Sequence, residues 1–347
     1  MSTAPIDVVA AVAAGVGYLE SAQAPSGEFE SFATPLGVEP DWAADSSVFV
    51  TSLSVLALER VRSPRVGPMI DKALGLVASE TAPGPLWRFW THDHDRHREI
   101  PCDADDTSCA TMALGARAVH ADRTRRLLLA NRDRAGRFLT WFLPRGARSL
   151  APGRLRNTVD EWRSRSRREL FWEMTEATPD DVDGVVNANV LRLFGPDAPA
   201  EAVAYVSGVV LEGRERECDS WHRNEFNCWY SVADGARRGV PYERSVLARV
   251  AERLGSRLGE GPVPSSLDLA HGLGAVLAIG DPAGLAPDLV ERLLAAQHPD
   301  GSWDRDIFFY GGPKEVFAWG SEAFTTAAAV AALSDAGASD TDGPATT

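Results

Sequence analysis

The sequence predicts an all-α protein, a closed (α/α)6 barrel built from six helical hairpins. Three observations predict it. Apolar residues recur at helical spacing along nearly the whole chain, in stretches of ordinary helix length separated by Gly, Pro and Asp. No stretch gives several successive alternating strands. The first and last helical stretches, around residues 8–16 and 327–333, are both rich in Ala and Val, so each is best buried against the other. An open solenoid would instead end in polar caps.

The pattern yields twelve helices. The first covers residues 6–21. Residues 46–62 and 64–79 follow as a pair, then 106–120 with 122–142, and 183–194 with 199–212. Residues 225–239 pair with 242–258, and 265–279 with 286–297; 321–334 close the chain. No linker divides them, so one barrel domain is expected over residues 1–336. Residues 143–181 are charged and Arg-rich, and read as a surface excursion or a lid. The tail, residues 337–347, is made of Ala, Ser, Asp, Thr, Gly and Pro and is expected to be flexible.

Composition excludes several classes. The 347 residues carry 49 Asp and Glu against 35 Lys and Arg, a net charge of −14. A nucleic-acid binder needs a concentrated basic surface, which this balance argues against. Arg outnumbers Lys heavily (Lys72 and Lys314 are the two Lys), as in GC-rich bacterial genomes. The four Cys form no CxxC pair and read as reduced core residues. No basic leader and no run of 18 uncharged apolar residues is seen, so a cytoplasmic protein without a spanning helix is expected.

A weak repeat runs through the chain. Gln23, Gly27 and Phe29 match Gln297, Gly301 and Trp303, each set following a helix. The Gly supplies a turn, the Gln ties a helix end to backbone groups, and the aromatic packs over the hairpin. Residues 218–221, ending in Trp221, read as a degenerate third copy.

The run Gln297-x-x-Asp300-Gly301-Ser302-Trp303 resembles the QW repeat of squalene/hopene cyclases and their prenyltransferase relatives. Asp103-Ala104-Asp105-Asp106-Thr107 resembles the DxDDT signature of class II terpene cyclases, with Ser108 where Ala is usual. Residues 320–327 are similar to the start of the last helix in these proteins. The resemblance spans nearly the whole chain. It implies an (α/α)6 barrel and acid-initiated cyclisation of an isoprenoid or prenylated metabolite, by protonation of an alkene or epoxide. Known members usually carry a second helical domain. With one barrel, residues 143–181 or a second subunit, including another copy of the chain, would cover the mouth.

Asp103, Asp105 and Asp106 lie at a helix start. One Asp there caps free N–H groups and complements the helix dipole. Three Asp in four positions exceed a cap's need. Clustered carboxylates do not all ionise cheaply, so one keeps its proton. By resemblance Asp105 is the proton donor, with Asp103 and Asp106 as hydrogen-bonding supporters.

A cation must also be shielded, and aromatic faces do this without offering a nucleophile. Trp87, Trp90, Trp229, Phe309 and Trp319 are the cavity candidates, whereas Trp303 reads as structural. Asp183 and Asn187 share a helical face and read either as a second polar set beside the acid or as a buried network holding a hairpin together. Arg96, Arg305 and Lys314 are candidate anion-binding residues. No organic cofactor is required, and Mg enters only if the substrate retains a diphosphate. His92, His94 and His97 are read as a solvated loop rather than a metal site, so no metal ligand is assigned. Two rival functions stay open: a non-catalytic binding protein for an apolar or prenylated ligand or a protein, and a glycan-active enzyme using paired carboxylates.

Overall fold

The computed structural model describes residues 8–144, 159, 169, 171–173, 175–311 and 316–341. Twelve helices have bounds there. They are α1 (Val8–Ala22), α2 (Val48–Leu58), α3 (Val66–Ser79), α4 (Ala104–Leu114), α5 (Ala121–Ala130) and α6 (Gly184–Phe194). The second half holds α7 (Ala200–Glu212), α8 (Glu225–Arg237), α9 (Arg244–Glu260), α10 (Ser266–Ala278), α11 (Ala286–Ala295) and α12 (Glu322–Thr341).

Even-numbered helices form the inner wall. Each packs on the next, α2 on α4, α4 on α6, α6 on α8, α8 on α10 and α10 on α12, and α12 returns to α2. The ring is therefore closed. Inner helices are surrounded on all sides, and α4 and α6 bury every residue. Outer helices bury one stripe. In α3 the stripe is Val66, Met69, Ala73, Leu74 and Val77, which is helical spacing for a single face. The Ala-rich ends meet as expected, with α1 packed along α12.

Capping residues start the inner helices. Side chains of Ser47, Asp103, Asn224, Ser265 and Ser321 accept first-turn N–H bonds of α2, α4, α8, α10 and α12. For α6 the cap comes from outside: Asp219 accepts from the N–H groups of Val185 and Val186.

The repeat fastens hairpin to hairpin. Gln297 donates to the carbonyls of Ala11 and Gly301, and Gln23 to those of Met69 and Gly27. The Trp303 N–H reaches Thr326 Oγ1 on α12, and its indole donates to Leu293 O. Trp87 makes the same two bonds, to Thr107 Oγ1 and Val77 O. It is thus a copy of the repeat that lacks the Gln. Residues 218–221 are not a copy, because the Trp221 N–H goes to Asp219 Oδ1 instead.

Three features depart from the sequence reading. Short strands occur: β1 (Phe32–Pro35), β2 (Ala43–Ala44), β3 (Ile307–Gly311) and β4 (Phe317–Gly320) form one antiparallel sheet in the order β2-β1-β4-β3. It joins the segment after α1 to the one before α12, and pieces this short carry no readable alternation. The helix expected over 122–142 stops at Ala130. Asn131 there donates to the carbonyls of Leu139 and Trp141 and folds the chain back through Gly136, whose φ is +83°. At the other end α12 continues to Thr341, past the expected start of the tail. No helix among the described residues is long and apolar enough to cross a membrane.

Candidate active site

Each inner helix is followed by an outer one that returns the chain, so inner N-termini gather at one end of the barrel. The acidic motif sits at this end. Asp103 has extended backbone and caps α4, its Oδ1 accepting from the Asp106 N–H at 2.8 Å. Residues 102–104 also pair with the segment around Trp141: Ala104 N donates to Thr140 O, and Phe142 N to Cys102 O. That pairing lays Thr140 and Trp141 beside the acids.

Asp105 points across the ring to two partners. Asn189 of α6 donates from Nδ2 to Oδ1 at 2.7 Å, and His222 Nε2 lies 2.8 Å from Oδ2. All three side chains are buried. His222 is itself held by Asp219, whose Oδ1 accepts its backbone N–H at 2.8 Å. Burial pulls the imidazole toward neutrality. The hydrogen bond to Asp105 and the negative field of Asp219 and Asp105 outweigh it, and the ring's pKa rises to about 9. His222 is therefore a cation at neutral pH and donates to Asp105.

The flanking acids behave differently. Burial, the charge of Asp103 and a hydrogen bond to it push Asp106 well above the usual carboxylate range. The buried Oδ2 of Asp106 has no hydrogen-bond partner among the described residues. Asp103 is raised to about 6, chiefly by burial.

An aromatic cavity faces the acids. Its walls include Phe49, Phe89, Trp141, Trp221 and Phe309. Four rings form a column: Phe89 stacks on Phe309 (5.1 Å between centroids), Phe309 on Trp221 (5.5 Å) and Trp221 on Phe171 (6.4 Å). Trp141 sets its edge against Trp221, Phe171 and Trp172. Phe171 and Trp172 come from the excursion, so part of it covers the acid end. The space enclosed beside the acids is small, about 30 Å³, room for a few waters at most.

Of the aromatic candidates, Phe309 lines this cavity. Trp319 lies behind it, edge-on to Phe89 and Phe309. Trp90 and Trp319 both donate their indole N–H to Asp45, which fixes the second layer of rings. Trp87 is spent on the hairpin bonds described above. Trp229 donates to Glu215 at an outward groove of the α7, α8 and α9 side, away from the acids.

Asn187 brackets the Phe138 backbone and reaches the Asp183 carbonyl. It holds a hairpin, the bland alternative of the sequence reading. Asp183 accepts from Thr140 Oγ1 at 2.6 Å and Ser220 N at 3.0 Å, one residue removed from the cavity. Burial and the charge of Asp219 raise it to about 8.

The anion candidates are engaged elsewhere. Arg96 pairs with Glu99 and lies over Trp90. Arg305 lies 3.7 Å over the Phe32 ring and pairs with Glu322. Lys314 lies outside the described residues. The loop histidines are also partnered: His94 with Asp45, His92 with Glu80, and His97 with the Trp90 carbonyl. Among the described residues no three His, Cys, Asp or Glu side chains could hold a metal ion together.

Sequence reasoning missed His222 and Asn189 as partners of the acid. Asn189 had a signal, an amide in an apolar helix. Attention went to Asn187, but a step of two residues turns the side chain roughly 200° round the helix, from hairpin to barrel interior. His222 lies 117 residues from Asp105, and no spacing announces it.

No family model and no curated protein sequence matches the chain. Solved structures do. The type II terpene cyclase MstE from Scytonema superposes with a TM-score of 0.70 over 95% of this chain and 99% of that one, at 17% identity. The fold is that of the type II terpene cyclases. A variant of MstE in complex with geranylgeranyl dihydroxybenzoate, named as substrate, aligns at TM-score 0.69 and 17% identity, covering 95% of this chain and 97% of that one. The ent-copalyl diphosphate synthase from Streptomyces platensis aligns at 0.52 and 16% identity, over 84% of this chain but 50% of that one. The type II cyclase fold is thus matched end to end by a partner of this chain's extent, without a second domain.

Proposed function

We propose that the protein is an acid-initiated cyclase of an isoprenoid or prenylated small molecule. One observation carries the reading: a buried Asp105, flanked by two hydrogen-bond donors, lines an aromatic cavity. Asn189 and cationic His222 both donate to the Asp105 oxygens. Neither offers a proton on Asp105 a lone pair.

The reaction follows from these parts. A terminal alkene or epoxide enters the cavity and takes the proton of Asp105. A cation forms at the substituted carbon and is attacked by the next double bond, closing a ring. Phe309, Trp221, Phe89 and Phe49 face it with π-clouds that stabilise charge and supply no nucleophile. Loss of a proton from the last cation ends the sequence, and Asp105 is reprotonated from water. No organic cofactor enters this scheme.

The closed cavity has a consequence. A prenyl chain does not fit in a space of a few waters, so substrate entry parts the aromatic walls while they stay facing it. Phe171 and Trp172 then cover the acid end. The neighbour that binds a geranylgeranyl aryl acid supports a prenylated substrate of similar kind.

The test is incubation with farnesyl, geranylgeranyl and squalene-type substrates, with and without Mg, followed by mass spectrometry. Cyclised product is expected from the wild type and a loss of roughly 10²-fold or more from Asp105→Asn, since an amide cannot supply the proton. Equal turnover by both would refute Asp105 as the donor.

A further inference from the structure

From the acid the hydrogen bonds continue as a chain through Asn189 and Arg192, which line a second small cavity with Phe49, His222 and Tyr230. Asn189 gives its Nδ2 to Asp105, while its Oδ1 accepts from Arg192 Nη1 at 2.8 Å and Ser231 Oγ at 3.2 Å. Arg192 is held in turn by Asp234, through Nε and Nη2, both at 2.7 Å. Asn189, Arg192, Ser231 and Asp234 are all buried. A guanidinium only donates. The Asn189 atom facing it must be the oxygen, so the atom facing Asp105 must be the nitrogen. The amide's orientation follows from the chemistry of its neighbours.

The orientation matters for an acid. A protonated Asp105 has an O–H to place. A free Asn side chain would turn its oxygen to accept that O–H, stabilising the neutral acid and aiming its proton into the protein. An amide whose oxygen is already occupied by a guanidinium and a hydroxyl cannot do so.

We propose that Arg192 is a positioning residue for the acid: with Ser231 it locks the Asn189 amide so that Asp105 meets only a donor there and its proton stays with the cavity. Its catalytic meaning rests on the cyclase reading; the lock itself is a property of the resting protein. Arg192 sits three residues after Asn189 on α6, which puts both on one face. The guanidinium fork lets a single residue reach the amide and Asp234 at once, which a lysine cannot.

Arg192→Lys keeps a cation for Asp234 but loses the fork. Ser231→Ala removes the other donor and leaves the ion pair intact. The first readout needs no substrate: the Asn189 side-chain amide is followed by ¹H–¹⁵N NMR, its signals assigned by their loss in Asn189→Ala. Charged and titratable neighbours face the site from α4 (Asp103, Asp106, Cys109), from the adjoining loops (Asp183, Asp219, His222) and from α8 and α10 (Tyr230, Asp234, His271). All of these stay in place in both variants, so the difference from wild type reads the lock.

The Asn189 amide signals are expected to shift and lose protection from exchange in Arg192→Lys, and to do so less in Ser231→Ala. With a substrate in hand, kcat should fall roughly tenfold at unchanged KM. In an Asn189→Ala background neither substitution should add a further loss. Asn189 amide signals unmoved by both variants, or losses of equal size without Asn189, would overturn the proposal. If Arg192→Lys does not fold, Ser231→Ala decides by the same readouts. Failure of the wild type to turn over any prenylated substrate would count against the reaction, while the NMR arm still judges the lock.

Discussion

At the residue scale the site is governed by which groups keep protons. His222 is held at about 9 against an ordinary 6.5, so it favours the folded state most below pH 6.5. That contribution, on the order of 3 kcal/mol, is lost as pH rises through 9. Asp183, raised to about 8, acts in the same direction, because its ionised form is disfavoured by the fold. The melting temperature should therefore fall between pH 6.5 and 9, and the fall should be shallower in His222→Gln. Activity should decline over the same alkaline limb, since the positive charge of His222 beside Asp105 is lost. A melting curve flat across this range would contradict the charge assigned to His222.

At the element scale the hairpins stand on small backbone requirements. Gly301 has φ +92°, and a Cβ there would lie 2.4 Å from the Ala14 carbonyl oxygen of α1. Gly37 has a similar φ of +80° but nothing within 4 Å. Gly301→Ala should cost about 2–4 kcal/mol, strain plus a backbone clash, whereas Gly37→Ala should cost about 1. Thermal denaturation of the two variants tests this. Elements whose signals are local were legible in the sequence: twelve helices, the capping Asp103, and the Gln-Gly-aromatic turns. Elements made by distant pairing were not. Strands β1 and β4 are four residues each and find one another only after the ring closes. Trp87 carries the same bonds as Trp303 without the Gln that marks the repeat, which is why it read as a cavity residue.

At the scale of the whole molecule, the ring makes the site. The acids come from one turn of α4, and their partners come from residues 84 and 117 positions away. Closure of the inner helices brings Asn189 and His222 onto the same carboxylate. The motif itself was legible because three Asp in four positions exceed what a cap needs. The apparatus that makes one of them an acid was not, because its members are ordinary residues until the fold assembles them. Phe171 and Trp172 follow the same logic, packing on Trp141 and Trp221 from two distant segments.

The central claim is that Asp105 delivers a solvent-exchangeable proton to the substrate. Cyclisation in D2O tests it most directly. With a geranylgeranyl-bearing substrate the wild type should give cyclic product carrying one carbon-bound deuterium at the position protonated first, and Asp105→Asn should give none. Cyclic product without deuterium, or deuterated product formed equally well by Asp105→Asn, would contradict the account.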